Sequence, residues 1–450
     1  METAKRKGRF SFRGGVHPPG SKELSEQQPI SPGPEVTQLT VSLSQHIGQV
    51  CKPLVKKGDQ VQSGQRIGDD QAYVCAPVHA PLTGRVKEVS LQPHPVLGRC
   101  MGVVIDVDQP GQVQAGASSS FEGLDLDRYQ PEQIRQAVRD AGVVGMGGAG
   151  FPTQVKLDPS PKWPHDLIII NGCECEPYIT CDYRLMLERP YKVIAGALLA
   201  AKAWGGQRIL IAIEDNKPKA LEAVSAAIAR MAPDKMGLVV LRTRYPQGGE
   251  RQLIRAVTGK VVPTGQIPPM IGILVMNVAT AAAVADAVVL GRPLTHRVVT
   301  VTGRAVARPS NLEVPIGTSI GRLLDHCGLT EDVAKVVVGG PMMGFAIADL
   351  ACPVTKTTNA VIALTADQIR RPEQGPCIRC GRCLQACPEG LNPTLLAHAV
   401  KGYAWDLAKA NYITACIECG CCSYVCPAKI ELAGLIKTGK VFLARQKGKM

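Results

Sequence analysis

The sequence predicts a multidomain protein of the α/β class whose parts differ in sequence texture. Its 450 residues suffice for about three domains at roughly 150 residues each, and its composition, 45% hydrophobic and 20% charged, is that of a globular protein. Glycine-punctuated, β-like runs come first, strand-like and helix-like runs alternate in the middle, and cysteines crowd the last 80 residues. Disordered, collagen-like and small disulfide-rich proteins are excluded.

The net charge of +13 is concentrated at the two ends of the chain. Residues 1–24 carry a net charge of +4 and residues 371–450 a net charge of +6, so the middle is nearly neutral. Basic ends predict contact with an anionic membrane surface or an acidic protein partner, although solvated tails have the same composition. Because only 4% of residues are aromatic, base stacking is disfavoured and we expect no nucleic-acid partner.

Seventeen cysteines are too many for an average cytosolic enzyme unless many of them bind metal. The N-terminal run METAKRKGRFSFRGG is basic and has no apolar core, so it does not predict a secretory signal. Without export, disulfides are disfavoured, and thiolate ligation of metal is the better explanation of the cysteines.

The first segment, residues 1–108, is predicted to contain a β-rich sandwich. Residues 36–107 hold the elements V-x-x-G-D-x-V-x-x-G-Q and A-P-x-x-G-x-V, which resemble the lipoyl-type sandwich. Carrier proteins of that type have a modified lysine in the hairpin between the two halves. Here the hairpin reads Gly68-Asp69-Asp70-Gln71, which predicts a scaffold or docking surface instead of a swinging-arm carrier.

Residues 109–120, QPGQVQAGASSS, have the composition of a linker, and an α/β domain is predicted for residues 121–296. Alternating elements predict a largely parallel sheet, with strands at 166–171, 208–214 and 238–243 and helices at 131–141, 191–204, 217–231 and 249–258. The apolar run 271–290 has the ~20 residues of a membrane span. It carries Asn277 and Asp286, so we expect a buried strand, a turn and an Ala-rich helix, and no membrane anchor in this chain.

The third segment, residues 297–370, is predicted to be a small β-grasp module. The run VVTVTGRAVARPSNLEVPIG has the pattern of a hairpin, and it is followed by a helix at 319–327 and the strand KVVVGG. A hairpin followed by a helix and a strand fits that fold.

The last segment, residues 371–450, contains a repeated four-cysteine run, C-x2-C-x2-C-x3-C-P. This is the bacterial two-cluster ferredoxin pattern, in which the fourth cysteine of each run ligates the other cluster. Zinc modules usually pair two C-x2-4-C units, so [4Fe–4S] clusters are the better interpretation. We predict one cluster on Cys377, Cys380, Cys383 and Cys426 and a second on Cys416, Cys419, Cys422 and Cys387. A helix is predicted between the runs, over 393–415, and Cys421 is expected to be a packing thiol.

A glycine-rich run, Gly145-Met-Gly147-Gly148-Ala-Gly150-Phe151, is followed by Lys156. It matches G-x-G-x-x-G, but a predicted helix precedes it where the dinucleotide-binding fold requires a strand. Its backbone N–H groups can still close on a phosphate, and Lys156 can add charge, although a tight structural turn is the alternative. We expect close backbone approach and a positive φ at Gly148.

Three further turns follow predicted strands, where ligands of open α/β sheets bind. They supply amides, carboxylates and a tyrosine that can bond the polar edges of a flavin or nicotinamide: Asn171, Glu174 and Glu176; Tyr245, Gly248, Gly249 and Glu250; and Asn277 and Thr280. Cys173 and Cys175 suggest a redox or metal-binding role, but the cysteines of a C-x-C pair with no partner nearby more often only pack in the protein interior.

Together these motifs resemble the flavin- and NADH-binding subunit of respiratory complex I, and more closely the family of C subunits of Rnf electron-transport complexes. The opening FRGGVHPP, the lipoyl-like module, G-x-G-G-A-G-F-P-T-x-x-K, N-x-x-E-x-E-P, YPQGGE, N-V-x-T and the twin cysteine runs occur in the order of that family. The complex I subunit has an acid where this chain has Cys173, so the contact made by that acid is not carried over.

The resemblance implies a peripheral subunit on the cytoplasmic face of the bacterial inner membrane that binds NADH and FMN and docks on the other subunits of a membrane-bound Rnf-type complex, with ferredoxin or flavodoxin downstream. Hydride would pass from NADH to FMN and single electrons through the two clusters. It places Gly145, Gly147, Gly148, Gly150 and Lys156 around FMN phosphate and ribityl, and Asn171, Glu174, Asn277 and Thr280 on the isoalloxazine or phosphate. Glu176, as the catalytic residue, and Glu250 would hold the nicotinamide, and Phe151 would stack on adenine.

Other interpretations remain open at this point. A soluble diaphorase subunit of a hydrogenase or formate dehydrogenase shares the flavin motifs. A non-enzymatic docking protein similar to the A subunit of the sodium-pumping quinone reductase shares the N-terminal texture but lacks the cysteine runs. A plain ferredoxin-like carrier would not need the preceding residues.

Overall fold

The computed structural model of the protein describes residues 11–109, 121–330, 332–369 and 373–447. Nearly all of the predicted linker 109–120, and the predicted boundary at 370 and 371, lie outside the described residues.

The N-terminal module is a sandwich of two antiparallel sheets. Its strands, together with a first strand that leaves the module, are β1 (Ile30–Pro32), β2 (Gln38–Ser42), β3 (Lys52–Pro53), β4 (Gln60–Val61), β5 (Arg66–Asp69), β6 (Val78–His79), β7 (Gly84–His94) and β8 (Gly98–Val107). One sheet has the order β2-β8-β7-β4 and the other β3-β5-β6. Leu39, Ile67 and Val103 are fully buried between them.

A four-stranded parallel sheet forms the centre of the α/β domain, in the order β11-β10-β9-β12. Its elements are α1 (Pro131–Asp140), α2 (Thr153–Lys156), β9 (Leu167–Gly172), α3 (Cys181–Glu188), α4 (Pro190–Trp204), β10 (Arg208–Glu214), α5 (Pro218–Met231), β11 (Met236–Leu241), α6 (Glu250–Thr258), β12 (Ile273–Asn277) and α7 (Val278–Val289). The predicted elements agree with these to within two residues, but α2 and α3 were not predicted.

The apolar run 271–290 is a strand followed by a helix, as expected. The Asn277 side chain caps α7 by accepting a hydrogen bond from the Ala279 N–H at 2.8 Å. Helices α4 and α7 pack closely because Gly196 has no Cβ where the Ala281 carbonyl lies. Among the described residues, no helix is both long enough and apolar enough to cross a membrane.

The third module is a mixed sheet with one main helix. Its elements are β13 (His296–Thr302), β14 (Ser310–Pro315), α8 (Ile320–Cys327), β15 (Val333–Val338), β16 (Phe345–Ile347), β17 (Ala360–Thr365) and α9 (Ala366–Ile369). The strand order is β1-β14-β13-β17-β15-β16. The β13–β14 hairpin is antiparallel, and α8 and β15 follow it in the predicted order, but the strand that pairs in parallel with β13 is β17, which was not predicted. The N-terminal strand β1 extends the sheet, which was not predicted either.

The cysteine-rich segment is helical, with α10 (Arg382–Ala386), α11 (Pro393–Lys401), α12 (Trp405–Ala410), α13 (Cys421–Tyr424) and α14 (Leu432–Lys447). The single helix predicted over 393–415 is wrong. The chain turns at Gly402 and at Tyr403, whose φ of +53° cannot continue a right-handed helix, and this divides the segment into α11 and α12.

The hairpin that lacks a carrier lysine is anchored on the α/β domain. Asp69 accepts a hydrogen bond from Arg139 Nη2 at 2.7 Å, and the Asp70 carbonyl accepts one from the same nitrogen at 3.1 Å. Arg66 Nη2 reaches Asp140 at 2.7 Å. The sandwich is thus tied to α1, beside the glycine-rich run.

Candidate functional site

Two asparagines mark the carboxyl edge of the parallel sheet. Asn171 of β9 and Asn277 of β12 are direct partners in the β9–β12 register. The Asn171 amide donates to the Gly248 carbonyl at 2.9 Å, which brings the 245–250 turn to the same edge. The strand-end motifs that the sequence singled out therefore meet at one place.

The glycine-rich loop closes over this edge. Val144 and Pro152 form an isolated β-bridge at its base, and the Gly145 N–H donates to the Phe151 carbonyl at 2.9 Å. The Met146 N–H donates to Thr280 Oγ1 at 2.9 Å, which fastens the loop to the first turn of α7.

Individual loop glycines have different environments. A Cβ on Gly147 would lie 2.9 Å from the Asn277 side chain, so only glycine lets the loop approach the sheet edge. Gly150 has a φ of +73°, whereas Gly148 does not lie in the left-handed region, so the positive φ expected at Gly148 is wrong. A Cβ on Gly148 would meet no atom within 4 Å, so the loop faces open space there.

Lys156 ends the short helix α2 and forms an ion pair with Glu250, the first residue of α6, at 2.9 Å. Both side chains are partly exposed, at 29% and 39%. The pair places one positive and one negative charge at the mouth of the crevice between the glycine loop and the 245–250 turn. Phe151, 37% exposed, adjoins it on the loop.

Buried carboxylates lie deeper in the crevice. Glu174, with a φ of +48°, accepts a hydrogen bond from the Asp182 N–H at 2.6 Å, and Asp182 in turn accepts one from the Asn277 amide at 2.6 Å. Burial raises the pKa of Glu174 to about 7 and raises that of Asp182. Glu174 Oε2 is buried without a hydrogen-bond partner, and the Lys22 ammonium lies 3.9 Å from it as an ion-pair partner.

Glu176 has a different environment from Glu250. Its Oε2 accepts a hydrogen bond from the Met342 N–H at 3.1 Å, its Oε1 lies 3.5 Å from the Tyr245 hydroxyl, and its carboxylate fills the space beside Gly340. Burial raises the pKa of Glu176 to about 7. The structure therefore puts Glu176 under the 340–342 loop of the third module, while Glu250 pairs with Lys156.

The N-terminal motif FRGGVHPP lies between the crevice and the cysteine-rich segment. Val16 and Tyr245 exchange backbone hydrogen bonds at 2.8 and 2.9 Å, and the Gly15 N–H donates to the Ala386 carbonyl at 2.9 Å. Gly14 abuts the Cys387 carbonyl so closely that a Cβ would not fit. This segment therefore joins the Tyr245 turn to the first cysteine run.

Eight cysteines line two separate cavities. One is lined by Cys377, Cys380, Cys383 and Cys426, and the other by Cys387, Cys416, Cys419 and Cys422. Each cavity takes three cysteines from one run and the fourth from the other, which is the grouping that the ferredoxin pattern predicts. Backbone N–H groups of Leu391 and Glu418 donate to the sulfurs of Cys387 and Cys416 at 3.3 and 3.4 Å.

The cavity lined by Cys387, Cys416, Cys419 and Cys422 is the one beside the crevice. Cys421 also borders it, is fully buried, and lies with its sulfur 4.0 Å from the Tyr245 carbonyl. Cys377 and Cys380, in contrast, are exposed at the other cavity. The two cavities thus lead from the crevice towards the surface.

Comparison with known proteins finds four domain families that match successive parts of the chain. The Nuo51 FMN-binding domain matches residues 138–286, the RnfC barrel sandwich hybrid domain residues 10–110, the SLBB domain residues 298–346, and the 4Fe-4S dicluster domain residues 373–430. The C subunit of the proton-translocating ferredoxin:NAD(+) oxidoreductase complex of Clostridium ljungdahlii is 42% identical over 89% of this chain and 87% of its own length. The chain belongs to the Rnf C-subunit family.

Other relatives within the Rnf C-subunit family cover the chain similarly. The C subunit of the Na(+)-translocating ferredoxin:NAD(+) oxidoreductase complex of Acetobacterium woodii is 40% identical, over 97% of this chain and 98% of its own. The C subunit of the ion-translocating oxidoreductase complex of Rhodobacter capsulatus is 41% identical, over 85% and 74%.

A solved NAD+-reducing [NiFe]-hydrogenase in its air-oxidized state matches at a TM-score of 0.50 and 23% identity, over 72% of this chain and 63% of its own. This likeness concerns the fold alone.

The Rnf C-subunit architecture brings in residues that sequence motifs did not identify. Lys22 donates to the carbonyls of Glu174, Glu176 and Ile179 at 2.9, 3.0 and 2.6 Å, although it is more than 150 residues away in sequence. Lys217 and Glu214 form a buried ion pair at 3.2 Å, and Lys217 also donates to the Cys173 carbonyl at 2.6 Å. Asp182, which contacts Glu174 and Asn277, was also not identified. In the sequence, only its position soon after the N-x-x-E-x-E-P motif could have pointed to it.

The cysteines of that motif are structural in this arrangement. Cys173 is buried, and Cys175 accepts a hydrogen bond from the Gly248 N–H at 3.3 Å. Their contacts hold the Asn171 turn against the 245–250 turn.

Proposed function

We propose that this chain is the NADH- and FMN-binding C subunit of a membrane-bound, ion-translocating ferredoxin:NAD(+) oxidoreductase. The observation that carries the proposal is the meeting of the glycine loop, which faces open space at Gly148, with the strand-end motifs at one sheet edge, next to one of the two four-cysteine cavities. The relatives in Clostridium ljungdahlii and Acetobacterium woodii bear the name of this activity. Bound FMN would supply the conversion between two-electron hydride chemistry with NADH and the single-electron transfer that iron–sulfur clusters require.

The crevice suits FMN on three counts. The open space beside Gly148 lets backbone N–H groups of the loop approach a phosphate without a Cβ in the way. Lys156 supplies a positive charge at the mouth. Glu174 Oε2, which has no hydrogen-bond partner and lies 3.9 Å from the Lys22 ammonium, can accept a hydrogen bond from an N–H group of the flavin ring.

We assign FMN to the residues that the crevice brings together. Gly145, Gly147, Gly148, Gly150 and Lys156 face the phosphate and ribityl, and Asn171, Glu174, Asn277 and Thr280 face the ring or the phosphate. In this assignment Asp182 is a positioning residue, because it orients the Asn277 amide and bonds to Glu174 through its own N–H.

For NADH, Glu250 and Phe151 stand at the mouth of the crevice, and Gly248 and Gly249 set the start of α6. Glu176 and Tyr245 lie together at the side nearest the cysteines. A carboxylate that bonds the nicotinamide amide holds its reactive face against the flavin, which lowers the barrier through orientation. The role of Glu176 as the catalytic residue stays a prediction, and its contact with Met342 makes it sensitive to the position of the 340–342 loop.

We propose two [4Fe–4S] clusters with crossed ligation. Cys377, Cys380, Cys383 and Cys426 hold one, and Cys416, Cys419, Cys422 and Cys387 hold the other. The second site is next to the Tyr245 turn, and the exposed Cys377 and Cys380 put the first at the surface, where a partner protein can approach.

The proposal includes the wider setting of the chain. Boundaries near 108, 121, 296 and 370 separate the four modules, and the basic ends contact an anionic membrane surface or acidic subunits on the cytoplasmic face of the inner membrane. Ferredoxin or flavodoxin exchanges electrons with the complex. A soluble diaphorase is not favoured, because the hydrogenase likeness extends to the fold alone.

An anaerobic NADH titration of the full chain, reconstituted with FMN and iron–sulfur clusters, tests this function. We expect bleaching of the flavin band followed by reduction of the cluster absorbance, with about one NADH consumed per two electrons taken up. Clusters that assemble in a chain unable to bind FMN would instead indicate an electron carrier or docking subunit.

A further inference from the structure

A histidine and two cysteines converge in the sandwich module, away from the eight cysteines of the cluster domain. Cys51 Sγ and Cys75 Sγ are 3.7 Å apart, and His46 Nε2 lies 3.6 Å from Cys51 Sγ and 3.8 Å from Cys75 Sγ. The three atoms form a nearly equilateral triangle, although Cys75 follows Cys51 by 24 residues in the chain. No role in flavin or cluster binding is assigned to them.

The triangle has the size of one face of a tetrahedral zinc site. Zinc binds cysteine sulfur at about 2.3 Å and histidine nitrogen at about 2.0–2.1 Å. At the tetrahedral angle these bonds separate two sulfurs by about 3.8 Å and a sulfur from a nitrogen by about 3.6 Å. A disulfide requires sulfurs at about 2.05 Å, so the observed separation of 3.7 Å matches the zinc geometry instead.

The imidazole of His46 is oriented for ligation. Its Nδ1 lies 3.2 Å from the Ile47 carbonyl, which can only accept, so Nδ1 carries the proton and Nε2, the ring nitrogen nearest the two sulfurs, is unprotonated. A backbone carbonyl that fixes the tautomer in this way is usual for metal-binding histidines. The Ala76 N–H now uses the Nε2 lone pair at 3.2 Å, a long hydrogen bond that a metal would replace.

The charges around the triangle fit a metal held by two thiolates. The buried Lys356 ammonium donates to the carbonyls of Gly142 and of Pro77, two residues after Cys75. Asp69 Oδ1 is 4.0 Å from Cys75 Sγ and is paired with Arg139. Two thiolates cancel the charge of a divalent ion, so Lys356 and Arg139 face a neutral group. The thiol protons leave to solvent on binding.

We propose that His46, Cys51 and Cys75 bind one zinc ion, with a water molecule in the fourth position. Cys51 and Cys75 are buried and His46 is partly exposed, which leaves an entry path on the histidine side. Mixed nitrogen and sulfur donors in tetrahedral geometry favour zinc over magnesium or calcium.

The zinc site would stabilise the part of the sandwich module that contacts the glycine loop. The Ile47 N–H donates to the Gly150 carbonyl at 3.3 Å, and the Gln154 amide donates to the Cys75 carbonyl at 2.7 Å. A metal joining the 46–51 and 75–77 segments therefore stiffens the sandwich surface on which residues 150–154 rest.

Metal analysis of the anaerobically purified full chain, with its clusters filled, tests the site. We expect about one zinc per chain in the wild type and in the control Cys100→Ser, which changes another buried cysteine of the same module. In His46→Ala and Cys75→Ala we expect zinc to fall to near zero while iron is retained. His46→Ala is the safer variant, since it removes a partly exposed ligand.

X-ray absorption at the zinc edge supplies a second measurement that the iron clusters do not obscure. Two sulfurs at about 2.3 Å with two nitrogen or oxygen ligands are expected. A shell of four sulfurs would place the zinc in an unfilled cluster cavity and overturn the proposal. So would a wild-type chain that takes up no zinc, full retention of zinc in His46→Ala, or a Cys51–Cys75 disulfide in peptides mapped without reduction.

Discussion

Gly148→Val examines whether the glycine loop binds the phosphate of FMN. The protein itself accommodates the change, because a Cβ at Gly148 meets no atom within 4 Å and the residue does not adopt a positive φ. The valine methyl groups would instead occupy the space that a phosphate needs. Loss of two hydrogen bonds to a charged group, at about 1.5–3 kcal/mol each, amounts to about 3–6 kcal/mol. We therefore expect FMN to bind roughly 10²- to 10⁴-fold more weakly.

The assay is a titration of the flavin-free chain with FMN, followed by flavin fluorescence, with iron content measured in the same samples. Gly123→Val is the matched control, since Gly123 also has open space around its Cβ position and no positive φ, but is not part of the glycine loop. We expect both variants to keep their iron and only Gly148→Val to lose FMN. Wild-type FMN affinity in Gly148→Val would refute the phosphate assignment and leave the loop as a structural turn.

Three further changes probe other parts of the molecule. Cys426→Ala should lower the iron content from about eight to about four per chain, because the cluster that begins at Cys377 is lost. The control Cys421→Ala should keep both clusters. Selective loss of the cluster on Cys416 in Cys426→Ala would contradict crossed ligation. Glu176→Gln should retain FMN and iron but slow flavin bleaching by NADH in stopped flow, and an unchanged rate would remove its catalytic role. Because burial raises the pKa of Glu176 from 4.5 to about 7, ionisation destabilises the fold as pH rises through that interval. Glu176→Gln should therefore resist urea better than wild type at pH 8, by up to about 3 kcal/mol, and about equally at pH 4. Lys22→Met leaves three carbonyls without a hydrogen-bond donor, which costs roughly 1–3 kcal/mol of folding free energy for each. The variant should therefore unfold at a lower urea concentration and bind FMN more weakly. The control His17→Met, at an exposed residue nearby, should change neither property.

Local pattern was sufficient for most elements of the α/β domain, although it missed α2 and α3. Strands such as β9, with Leu167–Ile170 all buried, are short continuous apolar runs, and α7 begins at an asparagine that caps it. Both signals act over a few residues and do not depend on the rest of the fold. The same holds for the cysteine runs, whose spacing predicted how their eight cysteines are divided between the two cavities.

Local pattern failed where a single residue changed the path of the chain. The predicted helix over 393–415 ended early because Gly402 and Tyr403 introduce a turn that apolar content does not reveal. At the glycine loop, the sequence could not distinguish which glycine needed a positive φ. That role belongs to Gly150, which packs against the Gln45 carbonyl of the sandwich module.

Tertiary structure alone decided which distant groups share the site. Lys22 donates hydrogen bonds to the 174–179 turn, more than 150 residues away in sequence. Asp182 orients the Asn277 amide, and Glu176 accepts a hydrogen bond from Met342 of another module. The multidomain architecture, the flavin-type motifs and the cysteine runs could be predicted from local sequence, because each is written in consecutive residues. The contacts between modules, including the triangle of His46, Cys51 and Cys75, depend on how the chain folds back on itself, and burial of a polar group is the result of that packing and has no local signature.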